Sequence, residues 1–295
     1  MIKKQIDIHT DISLNNRALV IGFFDGLHVG HKALVEECLS SNYIPSVLTF
    51  SFDMKAILSG KSASLLLTEE EKENTLSSLG IKEYYVLPFN EELKNTTIDD
   101  FLSFLRKLNP KMIIVGNDFT FAKNGLGTYK DLLKLNDTID IKVLDLRLFN
   151  EEKISSSRIK MLLNNKELKL ANNLLGYNFY YENEVVKGLN NGSKLGYKTA
   201  NILPPENKLL LPLGVYKTKT IIDGKEYKSM TNIGTHPTIE EIDKIMIETH
   251  IFDFNQSLYG KKIKVEFLDF IRDQYKFDSI DKLIAQLKID EEKCK

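Results

Sequence analysis

Apolar positions in the first half of the chain fall in short unbroken runs, separated by stretches with a helical period. Ala18 to Phe24 (ALVIGFF) predicts a buried strand, followed by a turn and a helix over roughly His31 to Ser40. Tyr43 to Phe50 predicts a second strand. Thr68 with Glu71 three residues on is a capping box, so a helix should run from there to about Leu79 and stop at Gly80. Tyr84 to Leu87 predicts a third strand, Asp99 to Leu108 a helix closed by Pro110, and Met112 to Val115 and Ile141 to Leu144 two further strands. Short apolar strands alternating with helices imply a parallel sheet covered on both faces, a doubly wound α/β unit with its ligand at the carboxyl ends of the strands.

The period changes after Ser155. Ser156 to Leu163 and Glu167 to Leu175 read as two short helices. Extended runs follow at Phe179–Val186, Val215–Ile222, Tyr227–Ile233, Ile245–Phe252 and Ile263–Phe270, with turn residues such as Asp223-Gly224 and Tyr259-Gly260 between several of them. This pattern predicts an antiparallel barrel or sandwich. A last helix from about Ser279 to Glu291 places Ile280, Leu283, Ile284 and Leu287 on one face. The expected domains are 1–177 and 178–295.

Composition narrows the partners. The 295 residues carry a formal net charge of −1, which argues against polymeric nucleic acid as the main partner while leaving a free nucleotide open. Cys38 and Cys294 lie far apart and outside any CxxC pattern, as free thiols in a reducing compartment would. The N-terminus MIKKQIDIHTD has no apolar signal region, and no segment approaches 18 apolar residues, so the expectation is a cytoplasmic protein without a membrane partner. No protein partner is implied.

The densest chemistry lies in Gly22-Phe23-Phe24-Asp25-Gly26-Leu27-His28-Val29-Gly30-His31, running from the end of the first predicted strand into the first predicted helix. Two of the chain's five histidines stand three apart there. That spacing can bring both imidazoles to one helix N-terminus, where free backbone N–H groups and the helix dipole favour a phosphate. Glycine at 22, 26 and 30 permits close approach to the backbone. A zinc pair or two core histidines would also fit the tetrapeptide alone, although no third or fourth ligand stands at ligand spacing nearby.

The motif resembles the HxGH nucleotidyltransferases, which carry it on a Rossmann-like sheet. The longer stretch GFFDGLHVGH resembles the FMN adenylyltransferase module of the prokaryotic bifunctional riboflavin kinase/FAD synthetases. The resemblance implies that His28 and His31 contact ATP phosphates while Gly22, Phe23, Asp25 and Gly26 shape the nucleotide site. Val115 to Phe121 resembles the family's VGxDFxFG segment, which implies a ligand role for Asp118; Thr120 and Ala122 stand where the family commonly has arginine and glycine. Ile154 to Lys160 resembles its ISSTxIR segment, which implies that Ser155, Ser156, Ser157, Arg158 and Lys160 help hold the triphosphate. Lys160 keeps the charge of the usual arginine without its bidentate fork. Thr49-Phe50 begins a TFxPxP-like segment that lacks both prolines.

The second half carries Lys187 to Asn201 (KGLNNGSKLGYKTAN), in which glycines beside lysines could cradle a phosphate and Thr199 and Asn201 could offer oxygen ligands on one face of a strand. Read alone, such a Gly/Asn-rich stretch is a surface loop more often than a nucleotide site. It resembles the GxxxGxxLGxPTAN signature of riboflavin kinases, which implies that Gly188, Gly192 and Gly196 form a nucleotide loop and that Thr199 and Asn201 bind Mg²⁺ and phosphate. Lys198 replaces the proline, and Asn191 and Ser193 replace the usual arginines. Thr231 to Thr238 resembles NIGxRPT with His236 for arginine, and Ile247 to Phe254 resembles the ExHxFDF segment, which implies that Glu248 is the catalytic base.

The resemblance covers residues 16 to 292. It implies an α/β Rossmann-like nucleotidyltransferase domain followed by an antiparallel riboflavin-kinase-like β-barrel with a C-terminal helix. It also implies the activities: riboflavin to FMN, then FMN to FAD, with ATP and Mg²⁺, and riboflavin, FMN, FAD and ATP as ligands. Three other readings stay open at this point: an FAD synthetase whose degenerate kinase domain only binds flavin, a barrel acting as a flavin-sensing module, and an HxGH transferase for another phosphate ester.

Overall fold

The computed structural model describes residues 1–51, 64–145, 147–187, 196–236 and 244–295. The chain packs as two units, Met1–Ser156 and Ser157–Lys295.

The first unit is built on a six-stranded, wholly parallel sheet: β1 (Ile2–Gln5), β2 (Arg17–Ile21), β3 (Ile44–Phe50), β4 (Glu83–Leu87), β5 (Met112–Gly116) and β6 (Asp140–Leu144), in the order β1-β4-β3-β2-β5-β6. The chain steps outward from β2 through β3 to β4, then crosses to β5 on the other side of β2. The strand order therefore reverses at β2, which opens a crevice at its carboxyl end. β1 was not expected from the pattern. Its sequence IKKQ is exposed at every position because it lies at the sheet edge, so it has no apolar signal to read.

Helices α1 (Val29–Ser40), α2 (Glu69–Leu79) and α3 (Ile98–Leu108) cover the sheet. The expected capping box at the start of α2 forms in both directions: the Glu71 N–H donates to Thr68 Oγ1 at 3.2 Å and the Thr68 N–H to Glu71 Oε2 at 2.8 Å. Gly80, at φ 109°, ends it. α3 has its own box from Thr97 and Asp100 and ends on Asn109 in the left-handed region. Leu19, Ile21, Leu48, Tyr85, Phe101, Phe104 and Ile113 belong to one buried cluster under these elements.

In the second unit, helices α4 (Ser156–Asn164) and α5 (Leu168–Leu175) precede strands β7 (Tyr180–Glu184), β8 (Ala200–Ile202), β9 (Gly214–Ile222), β10 (Lys225–His236), β11 (Lys244–Ile251) and β12 (Lys262–Arg272). All pair antiparallel in the order β7-β12-β9-β10-β11-β8. A bridge between Val186, just past β7, and Asn201 on β8 brings the two edge strands together into a nearly closed barrel. β8 has only three residues, too few for an alternating pattern to reveal it. Asn172 of α5 ties the helix to the barrel, donating to the Phe267 carbonyl at 2.8 Å and accepting the Phe179 N–H at 2.9 Å.

The inward positions of β9, β10 and β11 include a run of hydroxyls. Thr220, Ser229, Thr218, Thr231 and Thr249 are joined in that order by contacts of 2.8, 2.8, 2.8 and 2.9 Å, all buried. The last helix, α6 (Ile280–Cys294), is capped by Ser279. Of the expected apolar face, Leu283, Ile284 and Leu287 are half-buried and Leu287 packs against the cluster that holds Cys294, whereas Ile280 is 64% exposed; Asp290 and Cys294 are fully buried. Arg272 Nε donates to Asp290 Oδ2 at 2.8 Å, and Gln286 Nε2 to its other oxygen at 2.8 Å.

Candidate functional site

The first site begins where β2 ends. Phe24 adopts φ 57°, Gly26 φ 80° and Leu27 φ 38°, so the chain turns sharply and the strand stops at Ile21 rather than continuing to Phe24. Left-handed backbone at bulky residues is strained and persists where the surroundings enforce it, commonly at functional sites. Phe24 is fully buried, and a Cβ on Gly22 would lie 2.9 Å from its ring, so glycine at 22 makes room for Phe24. Asp25 is buried, and its Oδ1 accepts the Leu66 N–H at 2.7 Å.

His28 is the N-cap of α1, which therefore starts at Val29, earlier than its apolar period suggests. His28 Nδ1 accepts the His31 N–H at 3.3 Å. A neutral His28 then carries its proton on Nε2. The two imidazoles stack, with centroids 3.6 Å apart and planes 15° from parallel, and the Phe24 ring lies edge-on to His31 at 5.3 Å. Burial pushes His28 down to about 4, against the opposing pull of Asp118. Burial also lowers His31, helped by repulsion from His28 whenever that ring is protonated and by the positive charge of Lys72 and Lys153. Both rings are therefore neutral near pH 7. His31 Nδ1 is buried and has no hydrogen-bond partner among the described residues.

Other members of the first set converge on this turn. Ser156 Oγ donates to the Asp25 carbonyl at 2.8 Å. Asp118 pairs with Lys153. A Cβ on Gly116 would lie 2.8 Å from Asp118 Oδ1. Ser155 is half-buried beside Ser156, while Ser157, Arg158 and Lys160 continue along α4 in the second unit. The residue pattern did not single out Lys72. Its side chain is 3% exposed; Nζ pairs with Glu69 at 2.6 Å, donates to the Phe23 carbonyl at 3.4 Å and lies 5.0 Å from the Phe23 ring centroid. Its only trace in the sequence is a lysine one turn before the core residue Leu76, on the same helix face.

The second site lies on the barrel. Gly188 and Gly192 fall outside the described residues. Gly196 adopts φ 84°, which favours glycine. Thr199 stands just before β8 and Asn201 within it. Asn201 lies opposite Glu248 of β11, and Glu248 lies opposite Asn232 of β10, so three polar side chains share one face across three strands. Asn232 Nδ2 donates to Glu248 Oε2 at 3.3 Å and Gln274 Nε2 donates to Asn232 Oδ1 at 2.7 Å. Asn201 is 3% exposed and its Oδ1 has no hydrogen-bond partner among the described residues. A cavity of about 300 Å³ is lined by Thr199, Lys198, Thr249, Phe254, Asn255 and Tyr259, among others; Thr249 neighbours Glu248 along β11. Asn232 lies in the NIGxRPT-like segment, which implied no role for it; Gln274 lies outside every motif.

Among the described residues no group of three or more His, Cys, Asp or Glu could hold a metal ion, and no helix is long and apolar enough to cross a membrane. Cys38 and Cys294 are buried free thiols, which burial pushes up to about 11 and about 12.

A paired-histidine helix N-terminus at the switch point of a parallel sheet, followed by an antiparallel barrel with its own carboxylate and amide row, defines a two-unit nucleotide-handling transferase. Residues 11–158 match the FAD synthetase family and residues 175–295 the riboflavin kinase family. A protein of Listeria monocytogenes called bifunctional riboflavin kinase/FMN adenylyltransferase is 32% identical, over 97% of this chain and 93% of its own. One of the same description from Bacillus subtilis is 32% identical, over 94% and 90%. A crystal structure from Streptococcus pneumoniae, described as a macrolide-efflux protein, superposes with a TM-score of 0.88 at 31% identity, covering 99% of this chain and 98% of that one. The chain belongs to the family of bifunctional riboflavin kinase/FMN adenylyltransferases.

Proposed function

We infer that this chain phosphorylates riboflavin to FMN and adenylylates FMN to FAD, with ATP as donor in both steps. One observation carries the reading: each family match contains its own separate polar constellation, the His28–His31 pair in one and the Asn201–Glu248–Asn232 row in the other. A match to both families favours two activities over a synthetase with a degenerate barrel. We place the activities in residues 1–177 and 178–295; α4 and α5 precede that boundary in sequence and pack with the second unit.

In the adenylyl transfer, an FMN phosphate oxygen attacks the α-phosphorus of ATP and pyrophosphate leaves. No covalent nucleophile is needed, only alignment and stabilisation of charge on the phosphates. His28 offers Nε2–H, and the neutral pair avoids a buried cation before ATP arrives. Gly22, Phe23, Asp25 and Gly26 form the turn that aims the pair. Asp118, Ser155, Ser156, Ser157, Arg158 and Lys160 complete the proposed nucleotide set.

In the kinase step, Glu248 accepts the proton of the riboflavin 5′-hydroxyl, whose oxygen attacks the γ-phosphorus as ADP leaves. The orphaned Asn201 Oδ1 suits a hard cation that takes oxygen ligands. Mg²⁺ held there by Asn201 and Thr199 would neutralise phosphate charge. Thr199 joins this position to the 300 Å³ cavity, which we assign to the nucleotide along with Gly188, Gly192 and Gly196. Such phosphate chemistry on free flavins and ATP suits a cytoplasmic enzyme.

The test is a chromatographic product assay with ATP and Mg²⁺, starting from riboflavin in one reaction and FMN in another. FAD in both, with transient FMN in the first, is expected. FAD from FMN alone would mean the barrel has lost its kinase activity. FAD in neither would overturn the reading.

A further inference from the structure

We propose that Gln274 is a positioning residue for the kinase step, orienting Glu248 through the side-chain amide of Asn232. The inference rests on the reading of Glu248 as the base. An amide has a donor end and an acceptor end, and turning it over exchanges them. Gln274 Nε2 donates to Asn232 Oδ1 at 2.7 Å, which fixes the acceptor end. The donor end is thereby committed to Glu248 Oε2, at 3.3 Å. Turned over, Asn232 would present its oxygen to the carboxylate, an unfavourable contact that would push Glu248 away from its present rotamer.

Gly234 gives independent support. A Cβ built on it would lie 2.5 Å from Gln274 Nε2 and 3.0 Å from Asn232 Nδ2. Glycine at 234 therefore keeps open the space in which the two amides meet. Gln274 itself follows the end of β12 and is solvent-exposed, so its side chain contributes no core packing. Among the described residues its side chain donates to the amide that holds the base.

Substitutions separate orientation from mere contact. Gln274→Met removes the donor. Gln274→Glu keeps the shape but can only accept, so it would draw the Asn232 NH₂ group to itself and turn the oxygen toward Glu248. The experiment is steady-state riboflavin phosphorylation by the full chain, for Gln274→Met, Gln274→Glu, Gly234→Ala, Asn232→Ala and the Gln274→Met/Asn232→Ala double variant. Adenylylation of FMN is measured on the same preparations.

A lost hydrogen bond of this kind corresponds to roughly three- to tenfold in rate. The expected result is a kcat lowered about that much in Gln274→Met and Gly234→Ala and further in Gln274→Glu, with KM for riboflavin and ATP little changed and FMN adenylylation at the parental rate. The double variant should be no slower than Asn232→Ala alone, because Gln274 acts only through Asn232. Parental kcat in Gln274→Glu, or additive losses in the double variant, would overturn the proposal. Glu248→Gln distinguishes the two levels. If it phosphorylates riboflavin normally, the base assignment fails and takes this inference with it. If it is inactive while the Gln274 variants are unimpaired, only the positioning role is lost.

Discussion

The backbone at Ala122 sits at φ 63° and ψ −177°, a region that essentially only glycine occupies without strain. Holding a residue with a Cβ there costs on the order of 1–3 kcal/mol. Ala122→Gly should release that strain. Two terms oppose it. Glycine gains freedom in the unfolded chain, worth about 0.4–1 kcal/mol. The methyl group also packs half-buried against the core beside Phe119 and Phe121, and losing it costs roughly 0.5 kcal/mol, part of one buried CH₂. The net expectation is a gain of about 1 kcal/mol, or about 2–4 °C in Tm for a unit of this size. The chain has no tryptophan, so far-UV circular dichroism in a denaturant series is the suitable assay, with Ala122→Val as the opposing variant. Ala122→Val should be clearly destabilised, since a β-branched side chain tolerates this backbone worst. A glycine variant less stable than the parent, or a valine variant as stable, would refute the strain argument.

Other expectations follow from single contacts. Hydrogen bonds from Arg17, with help from Tyr85 and Ser46, hold Glu83 down at about 2 against its burial, so its contribution is complete above about 4.5 and is lost as pH falls toward 2. Glu83→Gln should therefore cost on the order of 2–3 kcal/mol near neutrality, and denaturation at a series of acid pH values should show the gap closing; a constant gap would contradict this. His31→Ala should lower FMN adenylylation by roughly 10²–10³-fold and leave riboflavin phosphorylation intact, as product assays from the two substrates would show; equal loss of both would argue against separate sites. Thr218 makes two contacts in the barrel hydroxyl run and Thr220 one. Thr218→Val should then be the more destabilising, by about 1 kcal/mol, in urea titrations; equal midpoints would mean that these contacts carry no net stability.

What the chain alone revealed depended on how local the cause was. The buried parallel strands, the Thr68–Glu71 box and the helix stop at Gly80 are fixed by neighbours in sequence, and each was legible. The edge strand at Ile2–Gln5 and the three-residue strand at Ala200–Ile202 were not, because one is wholly exposed and the other too short to show alternation. Ile280 was misplaced on a buried face because the anchor of that helix is an ion pair, Arg272 with Asp290, which no hydropathy period reports. The motifs named His28, His31, Asn201 and Glu248. The side chains that surround them, Lys72, Lys153 and Gln274, arrive from distant segments and carry no local mark. Ala122 was visible as a departure from the family's glycine, but its left-handed backbone could be seen only in the fold.

The hydroxyl run inside the barrel has a consequence of parity. Five O–H groups share four contacts, so one proton is always left over. Each group can give or take, and the whole row can therefore point either way. Pointed one way, the spare proton emerges at Thr220, deep in the barrel. Pointed the other way, it emerges at Thr249, on the wall of the 300 Å³ cavity. The sense of the whole row can thus reverse without displacing a heavy atom, by a relay of rotations across three strands.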